Sequence, residues 1–379
     1  MTTTFYIFQT LFLSGICFFL LRQSHVVIKA QILGWTLLTL FLVVRFGVED
    51  QLTFYSNDQR YYASIVRDLA SFSFVFDVDW WLSSSKIAYT FPAALLAGIG
   101  IDAGLALKTV SLLCFLNVTQ EVLSRTAKQS FRSIVGSLFI TACGGIGLFF
   151  SSLALRETML MMLTTHFVLS RTQAKRLLVL VLIVLLRPHL AAALCAATIL
   201  LFVWQVCRPK HRATPIGTLI LGIVSTSFGW LLYAFGVWNE SGIVGRFGYS
   251  WGIDAATRIA SNFVGLQFLT ARSETLEISL ANLFVLRLVL LETLLIPTIF
   301  TIMVFVRSRH LTQQGLFVWS AFSIYVGLAT NTDFNSFRQN IPFMTAMGLL
   351  ILGVFSTRER DYDLRGDTSL VVRSGETSN

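Results

Sequence analysis

The sequence predicts an all-α protein, a polytopic bundle of about eleven transmembrane spans with the N-terminus outside and the C-terminus inside. Three observations carry this. The first is composition: of 379 residues, 55% are hydrophobic and only 13% are charged, about half the charged share of a soluble domain. Mean hydropathy is +0.70. So little polar surface cannot clad a soluble globule of this length, which excludes a secreted or cytosolic enzyme and a disordered chain and leaves lipid as the solvent. The second is a series of apolar segments, and the third is the way basic residues fall between them.

The segments run over 5–21, 27–46, 104–120, 133–150, 155–170, 177–187, 190–207, 215–237, 281–306, 314–330 and 340–356. The first has no basic leader and no small-residue cleavage site, so it is expected to stay as a membrane helix. The fifth to seventh are short. The run from Leu177 to Val206 is interrupted by Arg187-Pro188-His189. Proline lacks a backbone donor, and the residue before it avoids the helical region. Two short helices meeting at a polar apex are expected there, a break tolerated only where it is buried or lines a wet cavity.

With the N-terminus outside and the segments alternating, the inner side collects 17 basic and six acidic residues, the outer side nine basic and 13 acidic. Every short inner loop is basic, as retention of positive charge on the cytoplasmic side requires. The net charge of +9 therefore reflects topology, and nothing suggests a nucleic-acid partner. Residues 1–356 form the membrane domain, with long outer loops at 47–103 and 238–280; 357–379 form a polar, disordered cytoplasmic tail. In the first loop Ile65 and Leu69 recur at helical spacing among charges, predicting a helix along the membrane surface. The second loop holds another amphipathic stretch over Ile253–Phe268. The cysteines at 17, 114, 143, 195 and 207 have no metal-ligand spacing and read as small core hydrophobes.

The unusual polar residues fall on one side in this topology, the outer one. Asp58 and Arg60 lie on the first loop and Arg156-Glu157 at the head of the fifth segment. Arg187 and His189 form the break, Arg246, Asp254 and Arg258 lie on the second loop, and Asp333 and Arg338 flank the last two segments. Charges at membrane depth are costly and face a cavity or one another. Several arginines with a few carboxylates suit an anionic ligand, because guanidinium forks match phosphate oxygens. Plainer readings exist: Arg156 pairing with a carboxylate, Arg187 snorkelling, His189 capping or packing, Asp58 as an ordinary loop carboxylate. Lys108 is expected to snorkel from its helix end. Arg287 and Glu292 are five residues apart, about 140° around a helix, so each is expected to pair across helices. No Walker A, His-Glu-x-x-His or Gly-x-Ser-x-Gly motif occurs. Asn239-Glu240-Ser241 is a glycosylation sequon.

At Asp58 the chain resembles the GT-C membrane glycosyltransferases, whose early outer loop carries an acidic pair followed by a tyrosine. Here it reads Asp58-Gln59-Arg60-Tyr61-Tyr62. The proline-led stretch Phe91-Pro92-Ala93-Ala94 with Gly98 and Gly100, the Leu186-Arg187-Pro188 element, and Phe337-Arg338-Gln339-Asn340-Ile341-Pro342 are similar to further family elements in the same order. Gln59 replaces the second acid, which leaves a divalent Mg or Mn ion unassigned. An extra span precedes the Asp58 loop, an arrangement that also resembles bacterial envelope polysaccharide polymerases.

The resemblance implies transfer of a sugar or oligosaccharide from a polyprenyl-phosphate or polyprenyl-diphosphate donor to a hydroxyl of a glycan or lipid acceptor. The expected location is the extracytoplasmic face of a bacterial inner membrane. Asp58 would be the general base. Arg338, Arg187, Arg156 and Arg258 would face the leaving phosphate, and Arg60, Tyr62, Glu157 and His189 would line the substrate. An O-antigen-like polymerase, a lipid-linked oligosaccharide flippase and a non-catalytic scaffold are the alternatives. A flippase would need polar residues spread through the membrane depth.

Overall fold

The computed structural model describes residues 3–47, 56–71, 86–126, 131–170, 172–207, 214–234, 252–264, 284–329 and 340–354. Among these the protein is all-helical, without strands. The helices are α1 (Thr3–Leu20), α2 (Val26–Phe46), α3 (Ser56–Ala70), α4 (Ile87–Gly98), α5 (Ala103–Thr126), α6 (Phe131–Ile140), α7 (Gly145–Ser151) and α8 (Glu157–Leu169). They continue as α9 (Gln173–Leu186), α10 (Pro188–Cys207), α11 (Pro215–Ala234), α12 (Gly252–Phe263), α13 (Phe284–Val306), α14 (Gln313–Ala329) and α15 (Ile341–Ile351). Every apolar segment coincides with a helix, the fourth with the pair α6 and α7.

Five helices are long and apolar enough to cross a membrane, namely α1, α2, α5, α10 and α11, and the pair α6–α7, bent by 59°, would make a sixth. Helices α8, α9 and α15 have 13, 14 and 11 residues, short of the ~20 a crossing needs. By length and composition, five or six of the described helices could thus cross a membrane, where eleven spans are expected.

Helices α1 and α2 pair through Ser14 and Thr36, whose hydroxyls are 2.7 Å apart. Gln9 clamps α1 to the turn before α5: its Nε2 donates to Gly100 O at 2.7 Å and its Oε1 accepts from Asp102 N at 3.0 Å. Asp102 Oδ1 in turn accepts from the N–H groups of Gly104 and Leu105, satisfying first-turn donors that a helix leaves open. Helix α5 is buried over most of its circumference, as expected of a helix apolar all round. Lys108, on α5, does not snorkel. It is 1% exposed and its Nζ lies 5.6 Å from the Tyr6 ring centre, a contact that replaces hydration with the negative face of an aromatic ring.

Helix α3 puts Tyr62, Ala63, Ile65, Val66 and Leu69 inward and packs on α4 and α5. The helical spacing of the first loop is therefore satisfied by protein. Helix α12 covers most of the second amphipathic stretch. Its end reaches into the bundle, where Phe263 meets the rings of Trp319 and Phe322 on α14 and the hydroxyls of Thr298 and Thr301 on α13 donate to Val264 O and Phe263 O.

The α6–α7 bend has no proline, yet its backbone is satisfied. Cys143 O accepts from Gln31 Nε2 at 2.8 Å, and Thr141 O from Thr345 Oγ1 at 3.0 Å. Gly145 N and Ile146 N donate to Glu292 Oε1 and Oε2 at 2.7 and 2.5 Å. Glu292, on α13, pairs across helices as expected, but with backbone donors. Away from water, broken helices persist only where such partners are supplied.

Helices α11 and α14 form the closest pair. Lipid offers little hydrophobic drive between helices, so close approach at small residues supplies the attraction. Here Gly222 lies against the Trp319 ring, Gly229 against the Ile324 backbone and Gly327 against the backbone of Thr226 and Trp230, and Ser225 meets Ser320 at 2.8 Å.

Candidate functional site

The site begins at the second break. Pro188 cannot continue α9, and Arg187 before it is extended, with φ −156° and ψ 80°, as the proline ring requires. Pro188 then opens α10, where its missing N–H costs nothing. The last carbonyls of α9 need donors, and Arg156 Nη1 donates to Leu186 O. A cation at a helix C-terminus also opposes the negative end of the dipole. This contact ties the head of α8 to the apex of α9 and α10.

The turn carrying Arg156 is anchored from two sides. Ser111 Oγ on α5 donates to Leu155 O at 2.9 Å. Having spent its only proton, it accepts from Tyr89 Oη, also at 2.9 Å. From α3, Gln59 Oε1 accepts the Ala154 N–H at 3.2 Å. Ser111 lies eight residues into α5, about 12 Å along its axis at 1.5 Å per residue. Arg156 and Glu157 are therefore recessed into the bundle rather than set at its rim.

An aromatic wall closes the other side. His189 stacks on Tyr325 of α14, with centroids 5.8 Å apart and planes 16° from parallel, and Tyr325 meets Phe343 of α15 at 5.4 Å. At the head of α15, Asn340 Nδ2 donates to Asn262 O at 3.2 Å, joining α15 to α12.

Arg156, Glu157, Arg187 and His189 come together, and Tyr62 joins them through its edge-on contact with Tyr89, 5.8 Å between centroids. Asp58, half-buried, and Arg60, exposed, sit either side of Gln59 on the first turns of α3. The side chains of Asp254 and Arg258, and Arg246, Asp333 and Arg338 altogether, lie outside the described residues. Two participants, Tyr89 and Tyr325, carry no local signal in the sequence; only long-range packing brings them in.

Gln59 does not fit the family's metal-binding second acid. Its one oxygen accepts the Ala154 N–H, it carries no charge, and it is 4% exposed. Among the described residues no three His, Cys, Asp or Glu side chains group as metal ligands. Its place is a positioning one, holding the Asp58 helix on the Arg156 turn. Gln59→Leu leaves the Ala154 N–H buried without an acceptor, a loss of about 1–3 kcal/mol. It should lower the midpoint of thermal unfolding in detergent, while Arg60→Ala, at an exposed neighbour, leaves it unchanged.

Fold and site define a membrane protein, all-helical among its described residues, with a recessed cationic site at the apex of the broken pair α9 and α10. No protein-family model, curated protein or solved structure matches the chain.

Proposed function

We propose that this protein is a membrane glycosyltransferase, moving a sugar or oligosaccharide from a polyprenyl-phosphate or polyprenyl-diphosphate donor to a hydroxyl acceptor at the extracytoplasmic face in cell-envelope glycan synthesis. The observation that carries the reading is the contact of Arg156 Nη1 with Leu186 O, which sets Arg156 beside the Arg187-Pro188-His189 apex, with the Asp58 helix tied to the same turn through Gln59. Clustered cations in a recessed, low-dielectric site favour an anion, and an arginine fork suits phosphate oxygens.

In the proposed reaction the acceptor hydroxyl gives its proton to the Asp58 carboxylate as its oxygen attacks the anomeric carbon. The bond from that carbon to the phosphate oxygen breaks, and the phosphate leaves with the electron pair. Arg187 and Arg156 offset the charge that grows on it, with Arg338 and Arg258 as further phosphate ligands. A single displacement of this kind inverts the anomeric configuration.

The test compares lipid extracts from cells expressing wild-type protein or Asp58→Asn at matched membrane levels. Loss of a general base is expected to cut transfer by about 100- to 10,000-fold, so the lipid-linked donor glycan should accumulate and the product disappear. Normal product with Asp58→Asn would refute the assignment.

A further inference from the structure

A groove of about 800 Å³ lies away from the cationic site, at the opposite ends of the same helices. From their apex at Arg187, α9 and α10 run back toward the basic 171–176 segment, α9 covering about 21 Å in its 14 residues. The groove lies between them, floored by Phe167 and Phe317, and its walls include Leu177, Ile199 and Phe202, all more than 60% exposed. One end is polar. Gln173, Gln205, Gln313 and Gln314 gather there with Arg176, at the start of α9, the end of α10 and the start of α14. Arg176 Nε donates to Ser170 O at 3.0 Å, which fixes the plane of its guanidinium at the groove's mouth. Among the described residues that line it there is no carboxylate.

We infer that this groove is a binding site for an anionic phospholipid of the leaflet on the basic side of the bundle. An acyl chain lies between α9 and α10, and the phosphate sits on Arg176 among the glutamine amides. The charge pattern selects this occupant. A hydrocarbon wall that exposes Leu177 and Ile199 takes an alkyl chain, while a rim of one cation and several amide donors without an acid takes a phosphate. Basic pockets between helices on the cytoplasmic side are known to hold anionic headgroups. The inference is independent of the proposed sugar transfer.

The test uses full-length protein delipidated in maltoside detergent and refilled with phosphatidylglycerol or phosphatidylcholine at equal mole fraction. Phosphatidylglycerol should raise the midpoint of thermal unfolding by about 3 °C or more beyond phosphatidylcholine. Native mass spectrometry should show it retained. Arg176→Gln should erase the difference, and Ile199→Trp, which fills the groove while keeping the charge, should reduce retention. Equal shifts from the two lipids, or an undiminished preference in both variants, would overturn the proposal. So would displacement of phosphatidylglycerol by polyprenyl phosphate in the Arg176→Gln protein, which would assign the groove to a donor's tail.

Discussion

Replacing Glu292 by alanine is expected to destabilise the protein by about 2–4 kcal/mol, since two hydrogen bonds disappear and two buried backbone donors lose their partner. Glu292 is fully buried, and each of its oxygens accepts one backbone N–H at the head of α7. Water cannot replace it there, and no other described side chain accepts from Gly145 N or Ile146 N. Glu292→Gln keeps one acceptor oxygen and puts a donor where the other was, so about half the loss is expected. Unfolding by graded SDS in mixed micelles reads both. The ranking wild type, Gln, Ala is the point at issue: equal midpoints for wild type and Ala would remove the carboxylate from the account of the α6–α7 bend.

Gly327→Ala is expected to be nearly as severe. A Cβ added there would lie 2.1 Å from Thr226 O and 2.8 Å from Trp230 N. Both are backbone atoms of α11, so no rotamer change relieves the clash and the helices must part. Gly229 faces the same seam from α11, where an added Cβ would lie 2.0 Å from Ile324 O. Overpacking typically costs about 1–3 kcal/mol, and the upper end applies because in lipid the close approach is itself the attraction. Gly15→Ala is the control, having nothing within 4 Å of the added carbon. A thermal midpoint that falls for Gly327→Ala and Gly229→Ala but holds for Gly15→Ala is the expected pattern. If Gly327→Ala tracks Gly15→Ala, α11 and α14 do not meet as described.

The order of the helices was legible in the chain because apolar runs and prolines act locally. The break at Arg187-Pro188 is an example: a missing N–H and a ring clash act within one turn, whatever surrounds them. The bend between Ile140 and Gly145 escaped notice for the opposite reason. It has no proline, and its partners Gln31, Glu292 and Thr345 are more than 100 residues away along the chain.

The candidate site divides in the same way. Cost alone marks Arg156, Glu157, Arg187 and His189 as unusual, since ionisable groups in an apolar chain need a reason. Their common location rests on single contacts, Arg156 with Leu186 O and His189 with Tyr325, that no local spacing specifies. The same packing took Lys108 from its expected place at the interface to the face of Tyr6.

Composition and periodicity thus determined that this chain is a helical membrane protein and where most of its helices begin and end, because partition into lipid and helix formation depend on neighbours in sequence. Tertiary structure alone decided how deep Arg156 and Glu157 sit and which residues stand beside them. Those depend on unpaired backbone groups finding donors and acceptors across the bundle, and in a medium without water only the folded protein can supply them.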